Sequence, residues 1–552
     1  MGVQAPPTKG RIAAGRFFQL FLPIAGTGIV VYSWTHPDKE GLVPSRLPPE
    51  LQYLASRGQP NEEPVANWSA THEVTPARWF HPETTSDVEA FVRAAHSAQE
   101  RLRPTGSALS PNGLCLSRDG MLSMGLLDKV VSVDADKKQV TVQAGMRVQQ
   151  LADYLKPFGL TLQNYASIRE QQIGGFTQVG AHGTGATIPP ADDTVVALKM
   201  VTPAFGTVKL SRKDEPELFS LAKVGLGALG VVTEVTLQCV PRHRLVETTF
   251  TASVADVKKN HAKWLRQHRH LRYMWLPYTD SVVVVACDPL REGAQPPAAP
   301  AGGGVGDAEK LAALRGLYLS KVPGATEAGI EGLSFAELRQ ALLMVAPLDR
   351  DWVATVNRAE EQFWQRNSGT RVGFSDEILG FDCGGQQWVL ETAFPVADSL
   401  DAVPSSGSKD IQYMEMLMAE IKRSKIPAPC PIEQRWTSGS SSAMSPASGP
   451  PGSVHSWVGI IHYLPDDPKD REAVTTAFRT YAGIVHDKLM PRFNAVWHWA
   501  KLEPEWVEPS RLAKRLAARF PTREFAKFRG LLDPHGVLGN EWLDKALPLP
   551  KA

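Results

Sequence analysis

Gly225-Leu-Gly227-Ala-Leu-Gly230 has the G-x-G-x-x-G spacing of a dinucleotide-binding loop, but its neighbours stand in the wrong order. Such a loop needs a strand before it and a helix after it, so that a helix N-terminus faces the pyrophosphate. Here Pro216 to Val224 reads as a helix with proline in its first turn, and Val231 to Leu237 alternates as a strand. A Rossmann domain is therefore excluded at this point. The glycines make a helix-to-strand turn, with a backbone edge that a ligand can approach closely.

At 552 residues the chain exceeds one ordinary core, and two or three domains are expected. Its 43% hydrophobic and 21% charged residues fit a folded protein rather than a disordered or many-times membrane-spanning one. With 59 basic and 58 acidic side chains it carries no positive field that would point to nucleic acid. Cys115, Cys239, Cys287, Cys383 and Cys430 are scattered and form no C-x-x-C pair, so neither a disulfide framework nor a metal site is expected.

One stretch stands apart. Phe17 to Trp34 carries no charge and is just long enough to cross a hydrocarbon core as a helix. Lys9, Arg11 and Arg16 precede it, which places the N-terminal side in the matrix or cytoplasm and the remainder across the membrane. A cleaved targeting segment is the competing reading. Residues 1–40 are thus an N-terminal segment with one membrane helix at 17–34. Residues 41–74, Pro-rich and polar, read as a tether.

Regular structure is expected from there on. Ser86-x-x-Glu89 has capping-box spacing, and Val88, Phe91, Val92 and Ala95 follow at helical intervals. Val131 to Val133 and Val140 to Val142 alternate around a charged turn, as a hairpin. Val148, Leu151 and Leu155 make a helix stripe that Pro157 and Gly159 end; Val196, Leu198 and Met200 alternate as a strand that Pro203 to Gly206 turns into another. Residues 75–242 therefore mix hairpins with short helices, an α+β texture rather than a βαβ repeat. In residues 243–552 a buried strand is expected at 281–287 and helices at 335–346, 351–366, 409–425 and 468–490. Ala294 to Gly306 and Ser438 to Ser453 hold few apolar residues and read as exposed loops.

Two further glycine-rich loops, Pro104 to Gly113 and Gly174 to Gly185, can turn backbone N–H groups toward one point, and Ser107, Ser110 and Thr184 add hydroxyls. Two such loops in one domain suit a diphosphate; plain turns are the alternative. Glu433 and Arg435, two apart on an apparent strand, share a face and can bind a polyol and a carbonyl oxygen, or simply pair with each other. His498 and Lys501 share a face only if the chain there makes a helical turn.

These motifs together resemble the sugar-lactone oxidoreductases of the vanillyl-alcohol-oxidase flavoprotein family, in particular its plant and algal members. The matching segments are Asn67–Val74, Leu160–Gly175, Gly180–Gly185, Gly225–Cys239, Phe381–Val389, Pro431–Trp436 and His498–Lys501. The resemblance implies an α+β, two-domain fold: a PCMH-type FAD-binding domain at 75–242 and a cap domain at 243–552, whose C-terminal segment Leu532 to Asn540 returns toward the flavin. It implies FAD contacts from Pro104, Thr105, Gly106, Ser107, Ala108, Leu109, Ser110, Ser167, Gly174, Gly175, His182, Gly183, Thr184, Gly230 and Val232. Leu109 stands where many relatives carry the histidine that binds FAD covalently, so non-covalent FAD is expected. Ala166 matches a position that gates oxygen, where oxidases tend to have glycine. Cys383 matches a cysteine associated with oxidative inactivation; a buried, inert thiol is the alternative.

The implied reaction is oxidation of L-galactono-1,4-lactone at C2, with enolisation to ascorbate. Arg435 is expected on the lactone carbonyl, Glu433 on ring hydroxyls and proton removal, and Lys501 and His498 beside the pyrimidine edge of the flavin. The implied acceptor is cytochrome c, on a monomer at the mitochondrial inner membrane facing the intermembrane space. Plant relatives are also linked to assembly of the complex I membrane arm. An O₂-using aldonolactone oxidase, an assembly partner without turnover and a general alditol dehydrogenase are the rival readings.

Overall fold

A computed structural model of the chain describes residues 49–58, 63–291, 293, 295, 305–380 and 384–550. The segment 17–34, the residue Cys383 and most of the loop 294–306 lie outside the described residues. Among the described residues no helix is long and apolar enough to cross a membrane. The chain divides into a unit up to Arg57 and a unit from Gly58 onward. The described part of the first is the helix Pro49–Arg57, where a tether was expected.

The second unit begins earlier than its composition suggests. Val65–Ala66 pairs with Glu73–Val74, and the turn between them is fixed from inside. The Asn67 amide, 3% exposed, donates to Thr71 Oγ1 and the Ser110 carbonyl, while its carbonyl oxygen accepts from the Thr71 and His72 backbones. Residues 63–74 are thus folded structure, not tether: polar side chains do for this turn what apolar ones do elsewhere.

Strand Arg78–Phe80, helix Thr85–Ala98 and strand Arg103–Thr105 form one βαβ crossover, both strands running parallel to Gly120–Ser123. The helix buries Val88, Phe91, Val92 and Ala95 as expected, but its capping box is Thr84 with Asp87, two residues earlier than Ser86 and Glu89. Thr84 is the residue left in extended backbone, which a cap requires. Beside this unit lies an antiparallel sheet in the order Gly206–Ser211, Val195–Thr202, Val231–Gln238, Gln139–Gln143, Val130–Asp134. Helix Pro216–Ala222 indeed precedes the Gly225 turn, and strand Val231–Gln238 follows it.

The remainder is organised by an antiparallel sheet that, among the described residues, has eight strands: Gly369–Phe374, Arg244–Ser253, Ser281–Pro289, His270–Trp275, Ile432–Ser438, Val454–Tyr463, Gln387–Ala397 and Val496–Trp497. Alternation sorts its side chains. One face carries Trp275, Gln434 and Trp436 and is tied to helices Val254–Gln267 and Lys409–Arg423. There the fully buried Asp410 carboxylate accepts from His261 Nε2 at 2.8 Å and Trp436 Nε1 at 2.7 Å. The other face carries Arg272, Glu433, Arg435 and Glu391. The expected helices at 335, 351, 409 and 468 are present as Phe335–Val345, Arg350–Arg366, Lys409–Arg423 and Pro468–Ile484, the last continuing through a π-turn, Val485–Leu489.

The serine-rich stretch 438–453 is a correction. Ser440, Ser442, Met444, Ser445 and Ala447 are each at most 1% exposed. The fully buried Asp192 accepts from the hydroxyls of Ser440 at 2.5 Å and Ser445 at 3.3 Å, and Asp193 takes the Ser441 backbone N–H at 2.9 Å. Small hydroxyl side chains let backbone pack closely around two carboxylates that lie more than two hundred residues earlier.

Candidate active site

Three loops meet around an open cleft. Pro104, Thr105, Gly106, Ser107, Ala108, Leu109 and Ser110 form one wall. Gly174, Gly175 and Val232 lie on others, with Leu226 and Gly227 of the rejected fingerprint. Gly174 and Gly175 do not sit on a loop, however: Ile173–Gln178 is a helical turn. The cleft also has walls that the sequence did not announce, from Arg103, Cys115, Met124, Ala144, Gln171, Gln172, Phe176 and Gln178.

Arg103 is what draws these loops together. Only 2% exposed, it donates to the carbonyls of Leu114 at 2.9 Å, Leu226 at 2.6 Å, Gly227 at 3.2 Å and Leu538 at 2.8 Å. Burial lowers its pKa to about 10, still far above neutrality. The turn at Leu226 and Gly227 is left-handed, with φ of 57° and 63°, and a Cβ on Gly227 would come 3.1 Å from Pro104 Cγ. The C-terminal segment returns as expected: Asn540 Nδ2 donates to the carbonyls of Leu114 at 2.9 Å and Leu116 at 2.8 Å, and Leu102 N–H donates to Val537.

The cleft fits a polar, extended cofactor. The buried side-chain oxygens of Gln171 and Gln172 find no protein partner, and a Cβ on Gly106 would strike Gln172 Oε1 at 2.9 Å. The hydroxyls divide: Ser107 lines the cleft but donates to the Glu170 carbonyl at 2.9 Å, Thr184 lies off the cleft and donates to that of Leu271, and Ser110 lines the cleft. Leu109 offers no nucleophilic atom. Gly230 does not line the cleft; its Cα packs beneath Met200.

Gly183 and Thr184 line a second, smaller cavity, with Asn164, Tyr165, Glu247, Arg272, Cys287 and Arg435. Ala166 and Ser167 continue the Asn164–Tyr165 segment, partly buried, and line neither cavity. Burial and Glu247 push the Cys287 thiol far up, so it is inert at neutral pH.

Beside that cavity the expected reactive residues do come together, around a residue the sequence reading passed over. Arg435 donates to Glu391 Oε1 at 3.0 Å and faces Glu433 Oε2 across 3.3 Å. Lys501 Nζ lies 2.5 Å from Glu391 Oε2, His182 Nε2 lies 3.2 Å from Oε1, and the His498 backbone N–H donates to the Glu391 carbonyl at 2.9 Å. Trp499–Lys501 is the helical turn that His498 and Lys501 needed, capped by His498 Nδ1, which accepts from Ala500 N–H at 3.1 Å. Arg272, directly opposite Arg435 on the next strand, reaches Glu433 at 3.4 Å. His182, expected on the cofactor, stacks on Trp457 within this cluster.

The charges follow from burial. Burial alone would raise the Glu391 carboxyl, but the Lys501 ammonium and Arg435 guanidinium outweigh it and hold it well below the usual range. Burial lowers His182, and burial with Lys501 lowers His498, so both imidazoles are neutral at pH 7. His182, Glu391 and His498 bring three ligand-type atoms within 4.8 Å of one another, though the carboxylate already carries two cations. Glu391 could have been suspected as the one charge in the mostly apolar run Trp388 to Phe394.

Comparison with known proteins decides the family. An FAD-binding-domain profile matches residues 76–211, and a D-arabinono-1,4-lactone oxidase profile matches residues 235–546. The mitochondrial L-galactono-1,4-lactone dehydrogenase of Arabidopsis thaliana is 49% identical over 501 residues, covering 88% of this chain and 81% of that one. The chain belongs to the L-galactono-1,4-lactone dehydrogenase family. A rice member of that family, L-galactono-1,4-lactone dehydrogenase 2, is 50% identical over 495 residues, covering 88% and 84%. The L-gulonolactone oxidase of Bos taurus is 28% identical over 487 residues, covering 87% and 97%. In fold, the crystal structure of cholesterol oxidase from B. sterolicum superposes with a TM-score of 0.68 at 17% identity, covering 92% of this chain and 99% of that one. Like the rest of the L-galactono-1,4-lactone dehydrogenase family, the chain is an FAD-dependent lactone oxidoreductase with the two-part, PCMH-type flavoprotein architecture.

Proposed function

We propose that the chain oxidises L-galactono-1,4-lactone at C2, the 2-keto lactone then enolising to L-ascorbate. The observation that carries this reading is the pairing of Arg435 with Glu433 at 3.3 Å on the cavity side of the sheet, in a chain half identical to dehydrogenases named for that lactone. A guanidinium has five N–H donors, enough to keep two carboxylates and still meet a lactone carbonyl oxygen. Arg435 thereby stabilises the oxygen that gains charge as C2 is oxidised. Glu433, flanked by Arg272 and Arg435, accepts the C2 hydroxyl and takes its proton.

Non-covalent FAD, held by the Pro104–Ser110 and Gly174–Gly175 walls, supplies the two-electron acceptor when bound. Lys501 and His498 lie toward its pyrimidine edge in this reading. Ala166, a methyl in place of hydrogen beside the Tyr165 wall, hinders O₂ and leaves cytochrome c as the acceptor. The relatives' names place them in mitochondria; for this chain we take the same compartment, with segment 17–34 in the inner membrane and the enzyme in the intermembrane space, as a monomer. Cys383 is its oxidation-sensitive thiol. Association with a complex I assembly intermediate is compatible with all of these roles.

The test is lactone-dependent cytochrome c reduction, with and without oxygen, following peroxide in parallel. Rapid reduction indifferent to oxygen supports the dehydrogenase; peroxide with little cytochrome reduction makes it an oxidase. Arg435→Ala should lose about 10²–10³-fold in turnover with FAD retained. Wild-type turnover in that variant refutes the site assignment.

A further inference from the structure

The residues at this site grade in burial. The Glu433 and Lys501 side chains are 20% and 19% exposed, Arg435 8% and Glu391 3%. Glu391 is therefore the deepest of the charged groups, and each of its oxygens has a cation: Oε1 the Arg435 guanidinium at 3.0 Å, Oε2 the Lys501 ammonium at 2.5 Å. A carboxylate so enclosed, with a cation on each oxygen, faces its two partners rather than open space. Its strand meets the others rigidly. Glu391 pairs with Gly459, which pairs with Glu433 on the far side, and the His498 backbone docks on the Glu391 carbonyl.

We propose that Glu391 is the positioning carboxylate of this site: it fixes Arg435 and Lys501 from behind and sets the net charge presented to the flavin and lactone. The inference rests on the reading of Arg435 as the lactone-binding residue.

Two arguments favour this over a plain buried ion pair. First, an arginine and a lysine drawn to one point repel each other, and burial makes leaving either unpaired costly. One carboxylate between them resolves both, at the price of fixing their positions. Second, the charge sum matters to the chemistry. Glu391, Glu433, Arg272, Arg435 and Lys501 sum to one positive charge when His182 and His498 are neutral. A site that must favour added electrons on a bound flavin, yet release product, needs a modest positive field. Without Glu391 the sum becomes two.

The test is Glu391→Gln in the FAD-loaded enzyme. The amide keeps the size and loses the charge. The expected results are retained flavin, kcat lowered at least 30-fold with KM changed less than fivefold, and the flavin easier to reduce. Equilibrated with a reference dye, its reduced-to-oxidised ratio should rise at least fivefold, because a negative charge has gone. Wild-type values of kcat and of that ratio overturn the proposal. If the single variant does not fold, Glu391→Gln is placed on Lys501→Met, which removes one of the two stranded cations. The double variant should again show a ratio at least fivefold above Lys501→Met alone, and equality overturns the proposal. Arg435→Ala separates the two ideas. If it is inactive while Glu391→Gln behaves as wild type, only the role of Glu391 falls. If Arg435→Ala is itself fully active, the site reading falls with it.

Discussion

The imidazole of His182 lies flat on the indole of Trp457, ring centroids 3.7 Å apart and planes 16° from parallel. His182 comes from the glycine-rich segment of the cofactor-binding half. Trp457 sits directly opposite Arg435 in the sheet, its Nε1 donating to Thr437 Oγ1 at 2.9 Å. The contact is thus a joint between the FAD-binding part and the part that carries the proposed lactone site. Trp457→Ala should cost about 3–5 kcal/mol by the cavity it leaves. It should also lower turnover by moving Arg435. Thermal unfolding of the holoenzyme and a kcat measurement check both.

Arg103 predicts cofactor retention. Arg103→Met keeps bulk but strands the carbonyls of Leu226, Gly227 and Leu538, while that of Leu114 keeps the Asn540 amide. Buried orphans cost about 1–3 kcal/mol each, less whatever water recovers. The expected outcome is a protein that purifies with most of its FAD lost, read from the flavin-to-protein absorbance ratio. Full occupancy would show that the loops hold their places without it.

Gly459 lies between Glu391 and Glu433 on neighbouring strands, and a Cβ there would meet nothing nearer than Glu391 Cγ at 3.9 Å. The backbone thus tolerates a side chain, and the open space over a mid-strand glycine leaves room for a ligand to lie against it. Gly459→Val should fold and keep FAD while the KM for the lactone rises at least tenfold. An unchanged KM would remove the floor of the site from this place.

Acid stability should be governed by buried histidines. Burial lowers His462 and His486 to about 4, and His486 Nε2 accepts the Trp497 indole N–H at 3.0 Å, which needs the neutral ring. The unfolded chain takes up these protons near the ordinary value of 6.5, the folded chain only near 4. Stability therefore falls as pH drops from about 6.5 to about 4, by on the order of 3 kcal/mol per histidine at most. Unfolding midpoints across that range check the slope, and His486→Gln, whose carbonyl can still accept the indole N–H, should flatten it.

The buried carboxylate Asp192 anchors the serine-rich segment. Asp192→Ala leaves the Ser440 and Ser445 hydroxyls without their acceptor and should destabilise the protein by about 2–4 kcal/mol. Faster proteolytic cleavage within 438–453 is the accompanying sign.

Periodicity carried well where a segment faces one way. The helices Phe335–Val345 and Arg350–Arg366 and the hairpin of Val130–Asp134 with Gln139–Gln143 lie within a residue or two of their expected bounds. The order around Gly225–Gly230 was legible because proline and alternation are local signals. Composition misled where polar groups are buried in pairs. The serines at 440–445 and the turn at Asn67 look solvated in sequence, because their partners are supplied from distant segments. Glu391 was missed for the same reason. Its cations come from residues 435 and 501, and no local spacing links them. His182 was assigned to the cofactor because its glycine neighbours are, although in the fold its ring turns to Trp457.

The bond from Arg103 to the Leu538 carbonyl spans 435 positions of sequence. During synthesis, every residue that lines the cleft, from Arg103 to Val232, is made long before residues 537–540. The early loops must then wait with a buried cation short of one acceptor, and the Leu114 and Leu116 carbonyls lack the Asn540 amide. The hydrogen-bond set that holds the cleft together is therefore complete only once the segment 538–540 has docked against loops made more than four hundred residues earlier.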